Sequence, residues 1–192
     1  MTQALNFEIK SIDRISQEFV KRNILDFQQA VNFIKHLPYS RNKNKEDLVS
    51  LFTDNCGTCS TKHALLKQLA IENDFKGLKL IVGLFKMNTK NTPEISKTLE
   101  ANNIEYIPEA HCYLKYNSLI IDCTKENSQP SDFVDDLIEE MEINPKQITE
   151  DKVTYHKNYL KNWLLENRQI TFTLNEFWAI REQCIYELCA NQ

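Results

Sequence analysis

The stretch that most constrains the fold of this chain runs from Asn55 to Leu66, where a tight turn passes directly into a helix. Gly57 is one of only three glycines, and we expect it to supply the backbone freedom that a sharp turn requires. Cys59 then falls in the first helical turn. The apolar residues that follow it are Ala64, Leu65, Leu66, Leu69 and Ala70. A helix this apolar is expected to be buried, so the sequence predicts a thiol held at a rigid helix N-terminus.

That position has chemical consequences for Cys59. The first turn of a helix presents unpaired backbone N–H groups and the positive end of the helix dipole. Both stabilise a thiolate and lower the pKa of a cysteine, which makes it a nucleophile. The alternative is a small core cysteine beside a helix cap.

Composition narrows the class of protein. The 192 residues fit a single domain, and the 42% of hydrophobic residues suffice for a core. A net charge of -4 argues against nucleic acid or an anionic membrane as partner. No apolar run has the length of a membrane span, and residues 1–8 lack a signal-peptide pattern, so we expect a cytoplasmic protein. There the six cysteines would remain thiols, and the oligomeric state stays open.

Three strands are predicted after the cysteine helix. The nearly unbroken apolar run from Gly77 to Phe85 is typical of a strand buried on both faces. Two shorter strands, Ala110 to Tyr116 and Leu119 to Thr124, flank Asn117 and Ser118, which form a plausible hairpin turn.

Helical patterns occupy both ends of the chain. Asp26 is a good N-cap for an N-terminal helix, and Thr173 and Glu176 form a capping box for the last helix. Ser131 is expected to cap another helix. The apolar residues inside that helix would be Phe133, Val134, Leu137, Ile138 and Met141.

Together these elements predict one α+β domain over residues 1–192. Its core, about residues 39–125, packs the cysteine helix on a small, mostly antiparallel sheet. Residues of about 126–192 form a helical C-terminal extension, and further helices precede the core.

The hairpin register brings two chemical groups together. If Tyr116 pairs with Leu119, then His111 and Asp122 become diagonal neighbours on one face, within reach of a hydrogen bond. The same register sends two cysteines to the opposite face, Cys112 and Cys123. A one-residue slip would destroy the arrangement.

An aspartate that binds one imidazole nitrogen fixes the tautomer and raises the basicity of the other nitrogen. With Cys59 beside that ring, the pair could attack an acyl group and protonate its leaving amine. We therefore expect Cys59 as nucleophile, His111 as general base and acid, and Asp122 as the orienting group. The alternative for His111 is a structural strand histidine.

These residues resemble the core pattern of the transglutaminase-like superfamily over roughly residues 39–125. That pattern is G-x-C, then H-A-W or similar, then D-P-T, and it matches Gly57-x-Cys59, His111 and Asp122-Cys123-Thr124 in chain order. The stretch from Ile107 to Leu114 also looks like that of bacterial members.

The resemblance implies a papain-like α+β fold and a Cys-His-Asp triad at Cys59, His111 and Asp122. It implies acyl transfer to an amine, or hydrolysis of an amide or ester in a peptide or small molecule, without cofactor or metal. The Cys59 N–H would form an oxyanion hole with a second donor, for which Asn55 and Tyr39 are candidates.

The chain departs from the pattern at three positions. Ser60 stands where the superfamily has tryptophan after the nucleophile, Cys112 follows His111, and Cys123 replaces the proline of D-P-T. These departures weaken the case for protein crosslinking more than the case for cysteine acyl chemistry.

A thiol-disulfide oxidoreductase is the main rival, because Cys56-Gly57-Thr58-Cys59 has the form of a thioredoxin-like motif that opens a helix. The stretch from Phe52 to Asn55 is not the strongly apolar strand that normally feeds such a motif. That fold would also leave His111 and Asp122 without a shared role.

Two further alternatives remain open. A zinc site could draw on five candidate ligands, although the sequence has only one Cys-x-x-Cys pair. They are Cys56, Cys59, His63, Cys112 and Cys123. The other alternative is a non-catalytic interaction module on the same scaffold.

Overall fold

The computed structural model describes residues 5–190, which form an α+β fold with seven α-helices and a four-stranded antiparallel sheet. Residues 1–4, which contributed to the expectation of a cytoplasmic location, lie outside the described residues. The helices are α1 (Arg14–Val20), α2 (Phe27–His36), α3 (Ser50–Asp54), α4 (Cys59–Glu72), α5 (Ser96–Ala101), α6 (Glu150–Glu166) and α7 (Leu174–Ala190). The strands are β1 (Leu78–Asn88), β2 (Tyr106–Tyr116), β3 (Leu119–Ile121) and β4 (Leu137–Ile143). Within residues 5–190, no helix is long and apolar enough to cross a membrane.

The sheet has the order β3-β2-β1-β4, with every neighbouring pair antiparallel. Strand β1 lies between β2 and β4 and is almost entirely buried, which confirms the interpretation of its apolar run. Both faces of β1 therefore need a covering layer of helices.

Alternate residues of β1 enter two separate cores. Leu80, Val82 and Leu84 pack with α1, α2 and α4, whereas Ile81 and Phe85 pack with α5, α6 and α7. The sheet is therefore enclosed between an N-terminal and a C-terminal group of helices. Helix α4 packs against β2, which places its first residue beside the hairpin strand.

Several local predictions are confirmed. Asp26 caps α2 by accepting a hydrogen bond from the Gln29 N–H at 2.9 Å. The Thr173 and Glu176 capping box begins α7, with N–H to side-chain oxygen distances of 2.8 and 3.3 Å. At the hairpin turn Asn117 adopts a φ of 53°, a left-handed conformation that asparagine tolerates.

The predicted helix after Ser131 is wrong. Two short 3₁₀ turns, Pro130–Asp132 and Val134–Asp136, lead into β4, which pairs with β1. The sheet therefore extends beyond residue 125 and is not followed by helices alone. Strand β4 is an edge strand rich in glutamate, which is how exposed sheet edges avoid pairing with other chains.

The expectation for Gly57 needs correction. Among residues 5–190, only Gly77 combines glycine with a positive φ, and the left-handed residue before α4 is Asn55, with a φ of 52°. Gly57 is required for space instead. A Cβ there would lie 2.9 Å from the Leu51 side chain and 3.0 Å from the Lys62 side chain.

Candidate functional site

Cys59 is the first residue of α4, as predicted. Thr58 and Thr61, which flank Cys59 in the first turn, form a reciprocal capping box with N–H to hydroxyl distances of 3.0 and 3.5 Å. Asn42 reinforces the turn: it accepts from the Thr61 hydroxyl at 2.8 Å and donates to the Cys56 carbonyl at 2.9 Å. The backbone around Cys59 is thus held by hydrogen bonds on both sides.

His111 and Asp122 meet as the register argument predicted, with 2.9 Å between His111 Nε2 and Asp122 Oδ2. The β2–β3 ladder follows the predicted register from Tyr116↔Leu119 to Leu114↔Ile121 and then ends. Asp122 therefore lies just beyond β3, where its Oδ1 accepts the Thr124 N–H at 2.8 Å.

The charges of this pair reinforce each other. Burial raises the pKa of a carboxyl group, but His111 outweighs it and keeps the pKa of Asp122 well below its ordinary value. Burial likewise opposes a charged ring, yet Asp122 and Cys59 together raise the pKa of His111 well above its ordinary value. The geometry therefore favours an imidazolium beside a carboxylate.

Cys59 lines the same cavity as His111 and Asp122, and its charge interacts with that of the His111 ring. Because Nε2 faces Asp122, the nitrogen available to the thiol is Nδ1. Burial raises the pKa of Cys59, but Lys152 and His111 outweigh burial and lower that pKa to about 6. The burial of the other five cysteines raises their pKa values.

Lys152 is the main residue that sequence reasoning missed. It lies on α6 with only 9% of its surface exposed, and its ammonium group donates to Ser60 Oγ at 2.7 Å. Cys59 Sγ lies 3.9 Å from the same hydroxyl oxygen. Ser60, which stands where the superfamily pattern has tryptophan, therefore links a buried lysine to the Cys59 thiol.

A second missed group is the buried pair of Glu109 and Arg181. Glu109 lies two residues before His111 on β2, and Arg181 of α7 donates to both of its carboxylate oxygens, with Nε to Oε2 at 2.7 Å. Burial opposes the charge on Glu109, but Arg181 lowers its pKa to about 2. The pair ties the last helix to the strand that presents His111.

His63 has a structural position. Its Nδ1 lies 2.7 Å from the Cys59 carbonyl oxygen, and its Nε2 accepts the Cys123 N–H at 2.7 Å. A proline at position 123, as in the superfamily pattern, could not make this second contact. Burial lowers the pKa of His63 to about 4, so the ring is neutral at pH 7.

The other residues named in the sequence analysis lie in different parts of the structure. Asn55 lines a different surface cavity from the two that contain Cys59, whereas Tyr39 lines both of those. Cys112 and Cys123 are fully buried, as expected for small core residues. Cys56 is a free thiol whose pKa is raised by burial and by Asp54.

All six cysteines are free thiols. Across residues 5–190, no group of three or more His, Cys, Asp or Glu side chains is arranged to hold a metal ion. The five ligand candidates named above therefore do not converge on one point. Both ring nitrogens of His63 are already occupied by backbone groups.

Two cavities meet at Cys59. The first, called the cationic cavity below, has a volume of about 300 Å³. Its charged lining residues are Arg41, Lys45, Lys152, Arg181, Glu109 and Glu182. The second cavity, of about 150 Å³, contains His111 and Asp122. Its apolar lining residues are Phe85, Met87, Ala110, Phe133, Ile185 and Leu188.

Comparison with known proteins gave no match to a family model, to a curated protein or to a solved structure.

Proposed function

We propose that the protein is a transglutaminase-like cysteine enzyme that transfers or hydrolyses an acyl group held in an amide or ester bond. The observation that supports this proposal is the 2.9 Å contact between His111 and Asp122 in a cavity that Cys59 also lines. The assignment to a papain-like fold is part of the same proposal, and the helix α4 packed on an antiparallel sheet is consistent with it.

In the proposed reaction, the Cys59 thiolate attacks the carbonyl carbon and forms a carbon–sulfur bond. His111, as imidazolium, then gives its proton to the leaving amine or alcohol as the carbonyl–heteroatom bond breaks. The neutral ring next takes a proton from water or an incoming amine, which attacks the thioester and releases Cys59. Asp122 holds the ring through both steps.

The Cys59 backbone N–H lies at the N-terminus of α4, where it can donate to the developing oxyanion. Tyr39 is adjacent to Cys59 in both cavities and remains the better of the two candidate second donors. Asn55 is excluded as the second oxyanion-hole donor because it lines a separate cavity.

The oxidoreductase alternative fits the geometry poorly. In a Cys-x-x-Cys oxidoreductase the first cysteine is the activated, exposed thiol. Here burial and Asp54 raise the pKa of Cys56, whereas Lys152 and His111 outweigh burial and lower the pKa of Cys59 to about 6. The order of reactivity is therefore the reverse of what redox chemistry requires.

Acylation by 4-nitrophenyl acetate tests the proposal. We expect a burst of nitrophenolate, an acetyl group on Cys59 in peptide maps of acid-quenched protein, and its transfer to added glycine ethyl ester. Cys59→Ala should abolish all three signals, and Cys56→Ala, three positions away, should preserve them. Acetylation that persists in Cys59→Ala would refute the assignment of the nucleophile.

Limited alkylation provides a test without any substrate. At pH 7, iodoacetamide should label Cys59 before the other five cysteines, since only Cys59 has a lowered pKa. Labelling of Cys56 first would favour the oxidoreductase alternative.

A further inference from the structure

The two cavities at Cys59 have different chemistry, and the proposed mechanism assigns them different parts of a substrate. His111 lines the second cavity and is absent from the lining of the cationic cavity. Since the general acid must reach the leaving atom, the leaving group occupies the second cavity. The acyl portion of the substrate then extends into the cationic cavity.

The charges of the cationic cavity do not balance. Four cationic side chains line it against two carboxylates. Glu109 is engaged by Arg181, and Glu182 is engaged by both Arg41 at 2.6 Å and Arg181 at 2.7 Å. Both carboxylates are therefore already paired.

Lys152 is the buried cation that this pairing leaves out. Across residues 5–190, no carboxylate lies within ion-pairing distance of its ammonium group, whose hydrogen-bond partner is the neutral hydroxyl of Ser60. A buried charge without a direct ion pair is costly, and the charge of Lys152 is stabilised by the Cys59 thiolate together with the Glu109 carboxylate, which Arg181 already holds. Both groups contact the Ser60 oxygen, at 2.7 Å and 3.9 Å.

Acylation removes the charge of that thiolate. When Cys59 forms a thioester, its sulfur becomes neutral while Lys152 stays charged and buried. An acyl chain that ends in an anionic group would restore the balance inside the same cavity. The volume of about 300 Å³ suits a short chain of this kind.

We propose that the acyl donor carries a carboxylate on its acyl side, and that Lys152 binds this carboxylate in the cationic cavity. The inference rests on the proposed acyl chemistry at Cys59 and adds the substrate class. Lys152 is a substrate-binding residue in this scheme, distinct from the triad.

Paired alkylating agents test the anion site independently of acyl transfer. Iodoacetate and iodoacetamide are similar in size, and with both the Cys59 thiolate forms a carbon–sulfur bond while iodide leaves. Because both consume the same thiolate, the ratio of their rate constants cancels the thiolate fraction and reports the preference for an anion. The measurement uses the full chain at low ionic strength, with peptide mapping to assign the label to Cys59.

We expect Lys152→Gln to lower the iodoacetate-to-iodoacetamide ratio by about tenfold. Lys125→Gln makes the same charge change in the second cavity and should alter the ratio by less than about twofold. A ratio unchanged by Lys152→Gln, or lowered equally by both variants, would overturn the proposal.

A measurement on the unaltered protein covers the case in which Lys152→Gln fails to fold. Glutarate should slow alkylation of Cys59 by iodoacetamide at concentrations at which neutral glutaramide does not. Equal protection by the two compounds contradicts a carboxylate site.

Two esters then separate this inference from the proposed function. The mono-4-nitrophenyl ester of glutaric acid should exceed 4-nitrophenyl valerate in kcat/KM by about tenfold, mainly through KM, and Lys152→Gln should remove the difference. Equal turnover of both esters would overturn the carboxylate inference and leave the acyl chemistry standing. If neither ester is turned over, both the carboxylate inference and the proposed acyl chemistry are refuted.

Discussion

Two histidines lie beside Asp122, His63 fully buried and His111 partly buried, and their environments give them opposite properties. The rings of His63 and His111 are 6.3 Å apart, and their Nε2 atoms lie 3.6 and 2.9 Å from the carboxylate oxygens of Asp122. Burial lowers the pKa of His63 to about 4, whereas Asp122 and Cys59 overcome burial to raise the pKa of His111 well above its ordinary value.

Beyond burial, the two rings differ in what their Nε2 atoms meet. In His63, Nε2 accepts a backbone N–H from Cys123, so a proton there would meet a donor. In His111, Nε2 lies 2.9 Å from Asp122 Oδ2, so a proton there meets an acceptor. Proximity to a carboxylate therefore does not by itself charge a histidine, because a backbone donor can hold the neutral form.

The largest expected effect comes from removing the charge of Asp122 beside His111. Asp122→Asn should preserve the fold, because the amide oxygen can still accept the Thr124 N–H. Its NH₂ group would favour the wrong tautomer of His111. We expect the rate of ester hydrolysis to fall on the order of a thousandfold or more.

Asp132→Asn is the matched control, because Asp132 lines the second cavity and does not touch His111. Its rate should stay within a few-fold of the unaltered protein. An Asp122→Asn enzyme of near-normal activity would show that Asp122 does not orient the base.

Measuring both stability and Cys59 alkylation after substitution of each histidine sharpens the comparison. His63→Ala should lower the free energy of unfolding by about 3 kcal/mol, since it leaves a cavity and an unpaired Cys123 N–H. The pH midpoint of Cys59 alkylation should nevertheless stay near 6. His111→Gln should instead raise that midpoint by about one unit or more.

Chemical denaturation and alkylation profiles of the two variants measure these effects. If His63→Ala shifted the alkylation midpoint as far as His111→Gln does, the division into a structural and a reactive histidine would be wrong.

The smallest effect concerns acid stability. Between pH 6.5 and about 4 the unfolded chain binds a proton at His63 that the folded protein refuses, so stability should fall as the pH decreases through this window. The loss assigned to His63 is at most about 3 kcal/mol. His156, whose pKa burial also lowers to about 4, contributes in the same range.

Denaturant midpoints measured from pH 7 to pH 4 should therefore show a shallower slope in His63→Gln than in the unaltered protein. Protonation of the carboxylates cannot explain that slope, since the pKa values of Asp122 and Glu109 are lowered and both groups lose their stabilising charge at lower pH. Identical slopes in the two proteins would indicate that His63 is protonated in the folded state.

Local chemistry made part of the site predictable. The turn before Cys59 and the short hairpin turn determine geometry over a few residues, so the helix N-terminus and the contact between His111 and Asp122 follow from spacing alone. The catalytic roles of these residues and the resemblance to the transglutaminase-like superfamily stay predictions.

Lys152 was missed because its partner is distant in the sequence. A signal was nevertheless present: Lys152 and His156 lie in phase with Leu160 and Trp163, the buried stripe of α6. A lysine on the apolar side of a helix indicates a buried counter-charge, but no local pattern says which element supplies it.

Strand β4 was mistaken for a helix because its residues are good helix formers. Leu137, Ile138 and Met141 also have helical spacing, and only the open edge of β1 decides in favour of a strand. Tertiary pairing of this kind leaves no trace in a local pattern.

The position of Lys152 on α6 also sets an order of events during synthesis. Ser60 and Lys152 are separated by 92 residues, so a growing chain exposes Cys59, His111 and Asp122 well before the lysine emerges from the ribosome. Until then the thiol lacks the cation that favours its ionised form. We therefore expect the Cys59 thiol to reach its lowered pKa only after α6 has been synthesised and has packed beside Ser60.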